Sequence, residues 1–403
     1  MPIPTRRVSP LLLLPVCLAT LQACGGADSP DLVVRTDSAG ITIVSNGGAD
    51  LPPPIVLHED FRLGGDDSRP EHAFYQVNAG NIGVDDAGNI HVLDASSHRV
   101  VSFDGQGRHL RTVGGRGGGP GEMGMPFGLV VEPDGAVGVV DISKRALVRF
   151  GPDGSVLEQQ PLPEGYRGGN LVAYAGGMIA PSSRADDGRM VSTVVHTTAA
   201  DSRELVDMTM AEMKPVQLAS CGMGFSGMPP VFSPSLRWAA NGDRLVVVRS
   251  DGYDIEVFDD GVPTFRIRRD MAPTPATTAL AVQEQGEGMR VGTEGGYRVC
   301  EPQEVVEQLG VAPTIPAIGQ LAVAPDGSIA VRRGGVRDTP RAIDLFAADG
   351  EYLGTLPPGS PFPLAFLPDG RIAAADTDAL DVTRLVVYRV DWRDNVKSGE
   401  GGG

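Results

Sequence analysis

The chain has few of the residues on which metal and nucleic-acid chemistry depend. Of 403 residues, four are cysteine and six histidine, the histidines are scattered, and no Cys/His spacing resembles a zinc site. Lysine and arginine total 34 against 51 aspartates and glutamates, a formal net charge of -17. No basic stripe exists to displace counterions, so nucleic acid and anionic lipid are not expected as partners. Acidity of this degree most simply serves solubility. After residue 21 no apolar run approaches the ~18 residues of a spanning helix. Nor does a nucleophile elbow place serine, histidine and aspartate in a triad-like context. What is abundant is glycine, 54, and proline, 33, the composition of many short strands joined by tight turns.

The first 23 residues read as an export signal. Arg6 and Arg7 supply a positive start, and "LLLLPVCLATL" (Leu11 to Leu21) is long enough for a signal core but too short to span a bilayer. The run ends in "LQAC", which resembles the bacterial lipobox, where lipid is attached to the cysteine and the chain is cut just before it. Cys24 would then be the first mature residue, with 24–31 a lipid-proximal linker; the alternative is an ordinary signal cut near Ala23. The remaining thiols, Cys221 and Cys300, either pair in an oxidising compartment or stay as two buried free thiols.

A search for internal repeats organises residues 32–393. "VDDAGNIHVLD" from Val84 and "VEPDGAVGVVD" from Val131 return as "WAANGDRLVVV" from Trp238, "VAPDGSIAVR" from Val323 and "LPDGRIAAAD" from Leu367. Each is an apolar strand, an Asp/Asn-Gly turn that supplies left-handed backbone, and a second strand. A second half follows, as in "RVVSFDGQG" from Arg99 or "AIDLFAADG" from Ala342, and then a short last strand. Six such four-stranded units can be traced, at the ~40–50-residue period of propeller blades, the third degenerate around "YAGGMIAP". A lone blade cannot bury both faces, so the units are expected to close into an all-β six-bladed β-propeller. One of the early strands, Leu32 to Ser45 or Pro54 to Gly64, would complete the last blade. The tail 394–403, ending "SGEGGG", reads as flexible.

Two segments depart from the repeat. Pro273 to Leu309 lacks its grammar and holds a helix signature in "CEPQEVVEQLG": Pro302 in the first turn, Val305, Val306 and Leu309 on one face, Gly310 as the stop. A weaker helix is expected over Thr277 to Met289, so the fold is expected to carry a short helical insertion between blades four and five. The other segment is "GGRGGGPGE", Gly114 to Glu122. It lacks the Lys-Ser/Thr ending of a phosphate loop and no helix follows it, so it reads as the hinge from blade one to blade two. The Met-rich "CGMGFSGMPPVF" (Cys221 to Phe232) reads as a gap-filling loop rather than a copper site.

"GNIHVLDASSHRVVSFDGQGRHLRTVGGRGGGPGE" (Gly88 to Glu122), "DSAGITIV" (Asp37 to Val44) and the lipobox together resemble the bacterial six-bladed β-propeller lipoproteins, relatives of the NHL-repeat proteins. The resemblance implies the fold and a rigid binding platform, and brings no catalytic motif with it. If strands are lettered a to d, the a-b and c-d turns share one face, and the b-c and d-a loops share the other. On that loop face the candidate contacts for an envelope protein, peptide or glycan are Asp94, His98, Arg116, Glu122, Asp141, Arg145, Arg333 and Asp376. The protein would be a monomer needing no cofactor. An alternative is a lactonase- or lyase-type enzyme, for which Asp94, Asp141 and Asp376, at equivalent ends of strand b, would ring a Ca²⁺ ion in the channel. Against this stands the simpler role of a terminal aspartate that caps its own loop.

Overall fold

The computed structural model describes residues 33–74, 78–163, 166, 168–249, 251–293, 296–379 and 382–393. The signal, the lipobox with Cys24, the linker and the glycine-rich tail lie outside the described residues.

Six antiparallel four-stranded blades form the body. Blade one is Ile82–Val84, Ile90–Asp94, Arg99–Phe103 and His109–Gly114; blade two is Pro126–Val131, Val137–Asp141, Ala146–Phe150 and Gln160–Pro161. Blade three, Val172–Tyr174 to Ser202–Thr209, is regular in pairing although its sequence is degenerate. Blade four runs from Arg237–Asn241 to Val262–Arg269 and blade five from Ile318–Val323 to Tyr352–Leu356. Blade six takes three strands from the C-terminal end, Pro363–Phe366, Ile372–Thr377 and Thr383–Trp392, and its outermost from near the start, Ile55–Leu63. The innermost strands neighbour one another in the order one to six and back to one, which closes the ring.

The turn chemistry explains the hairpins. Gly88 and Gly135 adopt φ of 80° and 88°, a region open to glycine and costly for side chains. Their amides close the a-b turns onto Asp85 and Glu132. In each case the flanking strands are thereby held in tight register.

Six clusters of buried side chains make up the core of the ring, one at each junction between blades. Ile90 and Val92 of blade one pack with Ala373 and Leu385 of blade six, while Leu93 and Val100 face Leu129 and Val139 of blade two. The other junctions are built alike. Strand b of blades one and two is consequently buried along its whole length, because both faces of a blade meet a neighbour. Burial of this apolar surface, at ~25 cal/mol per Å², drives the ring closed.

The remaining pieces decorate the loop face and one outer edge. The hairpin Val34–Ser38/Ile41–Asn46 lies parallel to the last strand of blade four and widens that sheet to six strands. Between blades four and five the helices α1 (Thr278–Gln285) and α2 (Pro302–Leu309) form. Thr277 caps α1 through its hydroxyl, and Gly310 ends α2 at φ 76°. The insertion is not purely helical: a hairpin, Met289–Thr293/Gly296–Cys300, separates the helices. The Met-rich segment is likewise strand rather than loop over Met223–Met228, paired with Lys214–Leu218. A disulfide between Cys221 and Cys300 joins the two hairpins, amid Leu218, Val305 and flanking apolar residues.

Candidate functional site

Loop-face residues of blades one and two are held by their own loops. Asp94 accepts from the Ser97 amide at 3.2 Å and Arg99 Nε at 3.0 Å. Asp141, fully buried, accepts from the amides of Gly124, Met125 and Lys144 and from Ser143 Oγ. Burial alone would raise the Asp141 carboxyl, but these donors outweigh it and its pKa lies below the ordinary value of 3.8. Asp376 binds Arg62 at 2.7 Å. None of the three borders the central channel, so the geometry does not bring them together as a ring of metal ligands. Among the described residues no group of three or more His, Cys, Asp or Glu could hold a metal ion.

The glycine-rich crossing is filled from within. The Glu122 carboxylate accepts from the Gly119 amide at 2.7 Å, and Lys144 Nζ donates to the carbonyls of Gly119 and Glu122. A side chain on Gly117 would overlap that carboxylate, and one on Gly114, at φ 97°, would strike the His98 carbonyl. The chain's own Glu122 carboxylate thus stands where an anion would meet these amides. His98 Nε2 lies 3.3 Å from the Gly124 carbonyl, while Arg116 and Arg145 are exposed and enter no ion pair with a described acid.

Arg333 belongs to the architecture. Its guanidinium binds Asp344 and Asp50 and reaches Thr355 Oγ1 at 3.1 Å. Asp344, at 0% exposure, also accepts from Tyr253 at 2.6 Å and lies 3.1 Å from fully buried Arg269. Arg269 in turn stacks 3.8 Å over the Tyr352 ring. Burial would lower the Arg333 pKa, yet the two carboxylates raise it above the arginine value. This knot ties blade four, blade five and the N-terminal segment together.

A second buried line, Asp85–His91–Ser102, has the residue types of a hydrolase triad. His91 Nε2 donates to Asp85 at 3.2 Å and Nδ1 pairs with Ser102 Oγ at 2.9 Å. His91 and Ser102 are completely buried, so no substrate reaches the hydroxyl; the line fastens the a-b turn of blade one to strands b and c.

The central channel, about 1050 Å³, is bordered by the innermost strands of all six blades. Sequence reasoning overlooked three arginines on the loop face of blades four and five, of which Arg237 borders the channel. Arg237 starts the innermost strand of blade four and donates to the Gly319 carbonyl at 3.0 Å. Arg332 binds Gln320 at 3.2 Å and lies 4.7 Å over the Phe362 ring. Arg341 packs against the same Gly319. Arg332 and Arg333 are adjacent but point apart, as successive strand residues must; only Arg333 finds acids. Burial first, and then the charge of Arg341, press the pKa of both Arg237 and Arg332 below the ordinary arginine value.

No protein-family model and no curated protein matches the chain. Among solved structures, a Bacteroides fragilis protein described as a candidate exported protein is similar at 12% identity, over 87% of this chain and 100% of that one, with a TM-score of 0.49. A member of the DUF4221 family from Bacteroides vulgatus is similar at 11% identity over 84% and 99%, TM-score 0.47. BamB from Moraxella catarrhalis is similar at 10% over 83% and 98%, TM-score 0.35. At such identities and TM-scores these likenesses say nothing about activity, and the six-bladed ring rests on the strand pairing itself.

Proposed function

We propose that the protein is an exported, lipid-anchored, monomeric propeller of the bacterial cell envelope, related to the NHL-type lipoproteins, whose loop face is a rigid platform for a protein, peptide or glycan ligand. The observation that carries this reading is at the blade one to blade two crossing. There Met125 and Phe127 are 57% and 49% exposed, although the Met125 backbone is fixed at both its amide, by Asp141, and its carbonyl, by Ile142. Apolar side chains held out to solvent on a braced backbone lose little conformational freedom when a partner covers them. Arg116, on the same crossing, and Arg145, in the b-c loop of blade two, are exposed on the same face and would offer polar contacts to such a partner.

Crosslinking in the native envelope tests the reading. The wild-type protein is expected to give a stoichiometric adduct that the double variant Met125→Asp/Phe127→Asp loses while its thermal midpoint stays unchanged. An adduct retained in the variant, or none with the wild type, would overturn the platform at this face. Arg333 is not a useful target, since its loss would act through Asp344 and Asp50.

A further inference from the structure

Three partly buried arginines, on a chain of net charge -17, gather on the loop face of blades four and five, Arg237 at the border of the channel and Arg332 and Arg341 beside it, and make no ion pair with any described acid. Nearly every other strongly engaged arginine of blades four to six has a carboxylate: Arg244 has Asp259, Arg266 has Asp254, Arg371 has Asp60 and Asp369. We propose that Arg237, Arg332 and Arg341 form a binding site for a small organic anion bearing a carboxylate or phosphate group, a sugar acid fitting best.

The geometry supports each part of that assignment. Arg237 and Arg341 meet at one residue, Gly319, where an added Cβ would lie 3.4 Å from the Arg341 guanidinium and 3.0 Å from the Arg333 carbonyl. The glycine thus lets the start of its strand lie close against the Arg332–Arg333 backbone and the Arg341 guanidinium, while its carbonyl holds Arg237. Burial first, and then the charge of Arg341, lower the pKa of Arg237 and Arg332, and a bound anion would offset both the lost hydration and the repulsion, which Glu284 opposes only at Arg237 and without a direct pair. Guanidinium forks suit the planar or tetrahedral oxyanion of a carboxylate or phosphate. Gln320 borders the same channel and sets an amide beside Arg332, of the kind that meets a hydroxyl group, whereas Trp238 turns to the blade-three side. The channel's volume of about 1050 Å³ is on the scale of small-molecule sites. Helix α1 stands beside these arginines: Glu284 accepts from the Arg337 amide at 2.6 Å, and its negative charge is felt at Arg237 without forming a direct pair. The site lies apart from the Met125–Phe127 rim, so it and the platform can fail independently.

Isothermal calorimetry on the mature chain, with glucuronate, glucose 6-phosphate, inorganic phosphate and neutral glucose as probes, decides the matter. Expected is saturable one-to-one binding of at least one of the two anionic sugars, no binding of glucose, and a loss of about tenfold or more in affinity for Arg237→Gln and for Arg341→Gln, as for lost charge-assisted hydrogen bonds. Glu284→Gln is expected to tighten binding by removing the competing negative charge. Binding of inorganic phosphate alone, equal binding of glucose, or affinities unchanged in both arginine variants would overturn the assignment. Arg341 packs against glycines beside the channel, so its variant remains informative if Arg237→Gln fails to fold. Loss of the envelope adduct with anion binding intact would sink the platform and spare this site.

Discussion

His72 is buried against the ring of Phe103, with centroids 5.2 Å apart, and its Nδ1 accepts from the Gly64 amide at 3.2 Å. That acceptor role requires an unprotonated nitrogen. Burial first, then the charge of Arg69, lower its pKa below the ordinary 6.5, against smaller opposing effects of Glu71 and Asp66. The unfolded chain therefore binds a proton near pH 6.5 that the folded chain refuses, and stability present above that pH is lost as the pH falls. The unfolding midpoint of the wild type is expected to drop between pH 7 and pH 5, and His72→Gln to flatten that slope. Parallel curves for the two proteins would rule out His72 as the sensor. A separate loss, shared by both proteins, is expected below about pH 4, where Asp85 and Asp141 protonate. Their folded pKa values lie under 3.8 because hydrogen bonds outweigh burial. At this scale the sequence shows which residues carry charge but not which charges are spent. Asp94 and Asp141 bear the same relation to strand b, and both turn inward as loop caps; Arg237, Arg332 and Arg341 carry no distinguishing neighbour in sequence, and their shared lack of an acid exists only in the folded ring.

Helix α2 was legible because Pro302, the two valines and Gly310 each do a local job that sequence displays. The hairpin Met289–Thr293/Gly296–Cys300 was not, since most of its side chains are solvent-facing and it has no apolar stripe to betray its period. What holds it in place is remote: Cys300 is bonded to Cys221, 79 positions away, and a small cluster around Val305 and Leu218 seals the join. The two hairpins and α2 thus form a unit packed within itself, apart from the six interblade clusters. With Cys221 and Cys300 both changed to serine, amides of 214–228 and 289–300 are expected to exchange faster, with opening easier by about 2–4 kcal/mol. Amides of the innermost strands should keep their protection. If hydrogen exchange instead rose throughout blades four and five, the insertion would have to be counted as part of the ring's own support.

The ring as a whole was the most legible feature, because a repeated unit that cannot bury both faces alone has few ways to end except by closing. Closure rests on one strand. Ile55–Leu63 pairs along Thr383–Trp392, joining the beginning of the described chain to its end, and Ile55 and Leu63 bury on opposite sides, one toward blade five and one toward blade one. The hairpin Val34–Ser38/Ile41–Asn46 does something lesser: its first strand is exposed along its whole length and lies beyond the outer edge of blade four. Two truncations separate these roles. Removal of residues 33–40 is expected to cost on the order of 1 kcal/mol and to leave a cooperative transition, since surface losses are small. Removal of 33–63 takes the fourth strand from blade six, uncovers Val386 and its neighbours, and leaves an unpaired sheet edge at the seam. It also deletes Asn46 and Asp50, which hold Gly350, Tyr352 and Arg333 of blade five. That shorter chain is expected to aggregate or to melt without a sharp transition, as read by calorimetry and light scattering. Should it instead melt cooperatively near the full-length midpoint, the seam would be held by the interblade clusters alone, and the N-terminal strand would be a covering for the last blade rather than its lock.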